Sequence, residues 1–230
     1  MSLPSPERGD AGGRVELVLG SASPGRAEIL TRARVGFRVV VSNVDEDAVG
    51  AEHPDASPAE LAGLLAEAKG RDVAARVAAD GVAVPTLVLG CDSVFEFEGR
   101  AYGKPYEPDV ALERWRGQAG RAGTLHSGHW LGLVMPSASA SGSPAVAGVV
   151  SAGVRFAAAD EATLAAYVAT GEPLFCAGAF TIDGAGAALI AGVDGDPNAV
   201  IGLSVSWLRG ACEHLGVPFT ELWGSSNTRR

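Results

Sequence analysis

Two carboxylates and two lysines stand out in a chain that otherwise draws its positive charge from arginine. Of 18 basic residues only Lys69 and Lys104 are lysines, which points to a compact ammonium at those positions, as for a phosphate oxygen. Glu46 lies in the acidic run Asp45-Glu46-Asp47, and Asp92 in Gly90-Cys91-Asp92-Ser93. Each follows a segment expected to be a strand, and in open α/β sheets the ligand crevice lies beyond the carboxyl ends of strands. Two carboxylates there could hold a hard divalent cation such as Mg²⁺, or one could take a proton from water. The bland alternative for Glu46 is a solvated acidic loop. Asp92 follows an apolar run, where an unpaired carboxylate is costly. Lys104, in Gly103-Lys104-Pro105, is expected on extended backbone, because proline disfavours helix at the residue before it. Its alternative is a surface turn. Lys69 is expected late on its helix, where a cation also suits the helix dipole.

These groups need elements to carry them, and the stretch Gly20 to Leu30 sets the frame. It follows the strand-like run Val15-Glu16-Leu17-Val18-Leu19, with Ser23 placed to cap a helix and Pro24 in its first turn. A strand, a Ser/Gly turn and a helix N-terminus aim free backbone donors at one point, which makes an anion site to which Arg26 adds a fixed charge. The alternative is an ordinary, well-capped βα turn.

Further along, Phe37 to Val41 reads as a second strand and Ser42 to Asp47 as an acidic loop. Ser57 caps a helix from Pro58, and Thr86 to Gly90 is a short buried strand ending in Cys91-Asp92-Ser93. Val94 to Phe97 and Ala101-Tyr102 flank a hairpin turn, and Asp109 to Gln118 is a helix. Leu125 to Met135 and Val149 to Phe156 are strands, joined by a Ser/Ala/Gly/Pro insertion over 136–147 that is expected to be flexible. Asp160-Glu161 opens a helix that Gly171 ends. A strand near Leu189-Ile190 precedes a closing helix, Pro197 to Leu215. Residues 1–13 and 224–230 are expected to be loose tails around one domain, 14–223. Helices alternate with strands early and hairpins come late, so the class is mixed α/β.

Composition narrows the function. A net charge of −9 argues against nucleic acid as the main partner, since a phosphate backbone calls for a basic surface. Cys91, Cys176 and Cys212 are odd in number and widely spaced, which fits a reduced, cytoplasmic protein with neither a disulfide framework nor a zinc site. No secretory signal and no membrane-spanning run is legible. No Ser–His–Asp order is apparent, so direct attack by water is the simpler chemistry.

Ser21-Ala22-Ser23-Pro24-x-Arg26-x-x-x-Leu30 resembles the opening signature of the Maf family, nucleoside triphosphate pyrophosphatases. Asp45-Glu46, Lys69, Gly90-Cys91-Asp92-Ser93, Gly103-Lys104-Pro105, Gly171-Glu172-Pro173-Leu174, Ala177-Gly178 and Gly195-Asp196-x-Asn198-x-Val200-x-Gly202-Leu203 resemble later family motifs, in order. The resemblance implies a single mixed twisted sheet flanked by helices, with two lobes around an elongated nucleotide cleft. It implies hydrolysis between the α- and β-phosphates of a nucleoside triphosphate, with catalytic roles for Asp92, Glu46 and Lys104. Substrate would be bound by Ser21, Ser23, Arg26, Lys69 and Asp183, and a divalent metal cation (Mg or Mn) by Glu46 and Asp92. It leaves a homodimer open and calls for neither a nucleic acid nor a membrane partner. Three departures bear on this. Gly25 replaces the first of two arginines found in many relatives, Cys176 replaces a lysine, and Asp183 replaces a glutamine. The first weakens the inferred phosphate grip, and the others blur which base is recognised. The competing function is a nucleotide-binding regulator with little turnover.

Overall fold

The computed structural model describes residues 15–136 and 143–224. The expected tails therefore lie outside the described residues, Gly224 apart, as does the middle of the 136–147 insertion. Strand β1 (Glu16–Leu19) runs into α1 (Pro24–Arg32), where the Ser23 side chain accepts from the Arg26 N–H at 3.4 Å and Pro24 takes the first turn. The second strand is shorter than expected, with β2 covering only Arg38–Val39.

Next comes the first correction. Glu46 does not sit in a loop but opens a helix, α2 (Glu46–Glu52), capped by Asp45, which accepts from Ala48 N–H at 3.1 Å. None of its residues is buried, so it carries no apolar stripe by which periodicity could reveal it. The second correction concerns Lys69. Helix α3 spans Pro58–Asp80, opened by a Ser57/Glu60 capping box and closed by Gly81. That length puts Lys69 in mid-helix and buried, away from the C-terminal dipole.

Strand β3 (Thr86–Phe97) runs through Asp92 where an end was expected. A two-residue turn, Glu98-Gly99 with φ of 51° and 73°, leads to β4 (Arg100–Tyr102). Then follow α4 (Pro108–Gln118), β5 (Ala122–Val134), β6 (Ala145–Phe156) and α5 (Glu161–Ala169). Residues 145–147 of the expected insertion thus belong to a strand. Three short 3₁₀ turns (Glu172–Phe175, Ala177–Ala179, Ala185–Leu189) precede β7 (Ile190–Asp194). The closing helix is broken into α6 (Pro197–Ile201) and α7 (Val205–His214) at Gly202, whose φ of 125° no helix accommodates.

The strands form one mixed sheet in the order β2-β1-β3-β5-β6-β7, with β4 added to β3. On one edge β3 changes partner partway. Residues 86–89 pair parallel with β1, residues 95–97 pair antiparallel with β4, and 90–94 lie in the fork between them. Period two then sends alternate β3 residues to opposite faces. Leu87, Leu89 and Cys91 join a core with α1 and α7, while Val88 joins Val73, Val77 and Trp130 under α3. A third cluster, built on Phe95, Trp115, Phe156 and Phe180, fills the other lobe. Helix α3 lies in backbone contact on the sheet, for a Cβ at Gly90 would stand 2.3 Å from Ala66 O and one at Gly128 2.0 Å from Ala62 O. That close approach brings Lys69 down to the level of Asp92.

His129 shows how dry the α1/α7 face is. Its Nε2 accepts the Ser204 N–H at 3.0 Å and its ring stacks on Trp207. Burial, assisted by the nearby Arg26 charge, pushes its pKa down to about 4. A depressed histidine is protonated more readily in the unfolded chain, so its share of stability is complete above pH ~6.5 and lost as pH falls towards 4. We expect about 3 kcal/mol of stability to vanish across that window. Melting temperature against pH checks this, and His129→Gln, which keeps an acceptor but no titrating ring, should flatten the curve.

Candidate functional site

The site grows from the fork in the sheet. Asp92 points to the α3 face, where its Oδ1 accepts from Lys69 Nζ at 2.5 Å. The same ammonium donates to Glu46 Oε1 at 2.7 Å, so one lysine joins α2, α3 and β3. Lys69 and Asp92 are each 10% exposed along the side chain and Glu46 52%, which places the pair at the floor of the notch and Glu46 at its rim. Burial works against ionisation of Glu46, but Lys69 outweighs it with help from Lys104 and Arg26, and the carboxyl is held below its ordinary range.

Ser93 takes the opposite face, and there Arg26 enters the fork. Its Nε donates to Gly202 O at 3.0 Å, and Nη1 donates to Ser21 Oγ at 2.8 Å and Cys91 O at 3.0 Å. Its Nη2 donates to Ser93 Oγ at 3.0 Å. Among the described residues these bonds use four of its five N–H donors. Gly202 breaks the closing helix so that its carbonyl can meet this guanidinium, and a Cβ there would lie 3.1 Å from Arg26 Nε. Ser93, Ser127 and Gly202 are the site residues that sequence reasoning did not single out. Ser127 bonds both Ser93 Oγ (3.1 Å) and Ala199 O (2.7 Å), tying the fork to α6. Ser93 and Gly202 had a signal in the family motifs Gly90-Cys91-Asp92-Ser93 and Gly195 to Leu203, whereas Ser127 had none.

Around this centre stand the other expected residues. Ser21 Oγ also accepts the Ser23 N–H at 3.2 Å, so both serines are set at the helix entrance. Lys104 is exposed and makes no ion pair among the described residues, but lies near enough to Glu46 and Cys176 to act on their charge. Its strap is fixed to the second lobe, since Gly103 O accepts from Gly178 N–H at 3.3 Å and from Arg114 Nη1 at 2.5 Å. Asp183 stands apart from the carboxylate pair and meets Arg32 of α1 at 3.5 Å. Gly25 abuts Ile201, with a Cβ there falling 3.0 Å from its Cγ2, so the space of an arginine stem is partly taken. The Cys176 thiol is pushed up to about 11 by burial, with Glu172 and Asp183 adding to the effect. It is neutral at physiological pH and does not replace the charge of a lysine.

The structure also assembles a serine, a histidine and a carboxylate that lie far apart in the chain. His126 bonds Ser151 Oγ at 2.8 Å and Glu96 Oε2 at 2.9 Å across β6, β5 and β3. The row satisfies an imidazole only 6% exposed, and that is the role we assign it.

Glu46 and Asp92 both direct an oxygen at one cationic point. Among the described residues no group of three or more His, Cys, Asp or Glu could hold a metal alone. Two carboxylates with phosphate and water as remaining ligands are nevertheless the usual Mg²⁺ arrangement, so the donor set fits such an ion.

A mixed α/β fold whose sheet fork gathers a helix entrance, two carboxylates, a buried lysine and a buried arginine defines a class with a concentrated charged centre at one sheet edge. The chain belongs to the Maf family, whose sequence model, described as Maf-like protein, matches residues 16–215. It is 45% identical over 213 residues to a nucleoside triphosphate pyrophosphatase of Leifsonia xyli subsp. xyli, covering 91% of this chain and 97% of that one. A protein of the same name from Streptomyces coelicolor is 48% identical over 91% of this chain and 95% of its own length. One from Synechococcus sp. is 47% identical over 84% and 98%.

Proposed function

We propose that this protein hydrolyses the bond between the α- and β-phosphates of a nucleoside triphosphate, releasing monophosphate and pyrophosphate. The observation that carries the reading is the convergence of Glu46, Asp92 and Lys69 at a fork whose other side is closed by Arg26 and the α1 entrance. Family membership and the relatives' names agree with it.

The triphosphate would lie between the α1 entrance and Lys104, with Ser21, Ser23 and Arg26 Nη2 on one wall. Lys69 now bridges two carboxylates, and with substrate bound it would turn part of its hydrogen bonding to phosphate oxygen. Asp92 keeps Oδ2 clear of Lys69 and is the proton acceptor for the attacking water. A divalent cation, Mg or Mn, held by Glu46 and Asp92 would neutralise phosphate charge. Lys104 would offset charge growing on the leaving pyrophosphate. Positioning and charge neutralisation supply most of the acceleration.

Three free cysteines fit a reducing cytoplasm. No described helix is long and apolar enough to cross a membrane. Nothing in the site favours the regulator reading over turnover.

Product analysis tests the reaction. Attack at the α-phosphorus gives monophosphate and pyrophosphate in equal amounts, whereas attack at the γ-phosphorus gives diphosphate and orthophosphate. Chromatography of a turnover mixture should contain the first pair alone. Orthophosphate release without added pyrophosphatase would overturn the assignment.

A further inference from the structure

Between Val40, whose N–H still reaches Leu19 O at 3.1 Å, and the Ser57 cap of α3, the chain leaves the body of the protein. No residue of 41–56 is buried, and this excursion carries Glu46. Its helix α2 has seven residues, too few to stay helical in water on their own. Docking must therefore hold it, and the apolar core does not. Helix α3 supplies three polar contacts instead. Lys69 donates to Glu46 Oε1 at 2.7 Å, Asp72 Oδ2 accepts the Asn43 N–H at 3.0 Å, and Arg76 Nη2 donates to Val41 O at 2.5 Å. Among the described residues these are the only hydrogen bonds from 41–56 to the rest of the chain. Positions 69, 72 and 76 follow one face of α3. Their partners run 46, 43, 41, so the arm lies antiparallel along that face. Arg76 Nη2 also donates to Asp72 Oδ2 at 3.0 Å, which fixes the two side chains to one geometry.

We propose that Asp72 and Arg76 are positioning residues that pin the arm 41–45 to α3 and so hold Glu46 beside Asp92 when Lys69 turns to substrate. The inference rests on the pyrophosphatase reading, in which Lys69 gives part of its hydrogen bonding to phosphate. Asp72 lies about one turn and Arg76 about two turns beyond Lys69. They act on the backbone that leads into Glu46 and not on a reacting atom. With both in place, α2 stays docked although its own side chains bury nothing.

The test uses the full chain, with free Mg²⁺ varied against whichever of dTTP, UTP, GTP and a methylated GTP turns over fastest. Asp72→Ala puts the best helix former in mid-helix, so α3 and the melting curve should survive. Hydrogen exchange at the Val49 and His53 amides, which donate to Asp45 O and Gly50 O, is read without metal or nucleotide. It should quicken by about tenfold as α2 undocks. The Mg²⁺ concentration for half-maximal rate should rise about tenfold, the scale of one lost hydrogen bond to a charged group, with kcat at saturating Mg²⁺ within about twofold of the parent. Asp72→Asn keeps an oxygen for the Asn43 N–H and should recover most of both effects. Arg76→Ala removes the contact to Val41 and leaves that to Asn43. It should shift both readouts the same way by a smaller factor, which keeps the test open should Asp72→Ala fail to fold. Unchanged exchange in a folded Asp72→Ala protein, or quickened exchange with an unchanged Mg²⁺ requirement, overturns this inference and leaves the pyrophosphatase reading standing. A loss of kcat that saturating Mg²⁺ does not restore does the same. A wild-type chain that releases no pyrophosphate from any of the four overturns both.

Discussion

Replacing Asp92 with asparagine is expected to slow kcat by at least ~10²-fold, the lower end of what removal of a general base does. The shape is preserved, and Lys69 keeps Glu46 at 2.7 Å as an anionic partner, so the variant should fold. The loss has two sources. An amide takes no proton from water, and the carboxylate pair that suits a divalent cation is reduced to one. A purified Asp92→Asn protein with a wild-type melting curve and near-wild-type turnover would dismiss Asp92 as the base.

The second large effect falls on Arg26, and here stability and activity should fall together. The side chain is 8% exposed and joins β3, the α1 entrance and the break between α6 and α7 through four N–H bonds. Arg26→Ala leaves the carbonyls of Cys91 and Gly202 without this donor, each worth roughly 1–3 kcal/mol when buried and unpaired. We expect a melting temperature lower by on the order of 10 °C, from about 2–4 °C per kcal/mol for a chain of this size. A drop of ~10²-fold in kcat/KM should accompany it, on the scale of lost contacts to charged groups. Arg26→Lys separates the two roles. A lysine keeps the charge but lacks the planar fork that meets four acceptors at once. It should therefore recover little stability. If Arg26→Lys melted and turned over like the parent, Arg26 would be a phosphate cation and not the pin of the fork.

Elements set by local chemistry were legible from the residues alone. Ser23 and Pro24, Ser57, Asp160 and Gly171 mark helix ends by bonds within a few residues, and each does so in the structure. The hairpin turn was read the same way over Glu98-Gly99-Arg100, of which Arg100 belongs to the following strand. Helix α2 escaped because it buries nothing, and its cap, Asp45, looked like one more charge in an acidic run. The length of β3 escaped because Asp92-Ser93 interrupts an apolar run. A strand continues through them only where distant side chains satisfy both, Lys69 on one face and Arg26 with Ser127 on the other. The closing helix broke at a glycine whose carbonyl is needed 176 positions away in sequence.

By itself the sequence determined the mixed α/β class, the helix entrance at Ser23 and the set of charged residues from which a polyphosphate site can be built. Tertiary structure decided how those charges are used. It buried Lys69 between Glu46 and Asp92, spent most of Arg26 on holding the fork, and set Asp183 against Arg32 of α1. The physical reason is that capping and turn chemistry act between neighbours in the chain and leave local marks. The partner of a buried charge is chosen by strand register and by the backbone approach of α3 to Gly90 and Gly128. Those contacts join residues tens of positions apart, and no short stretch records them.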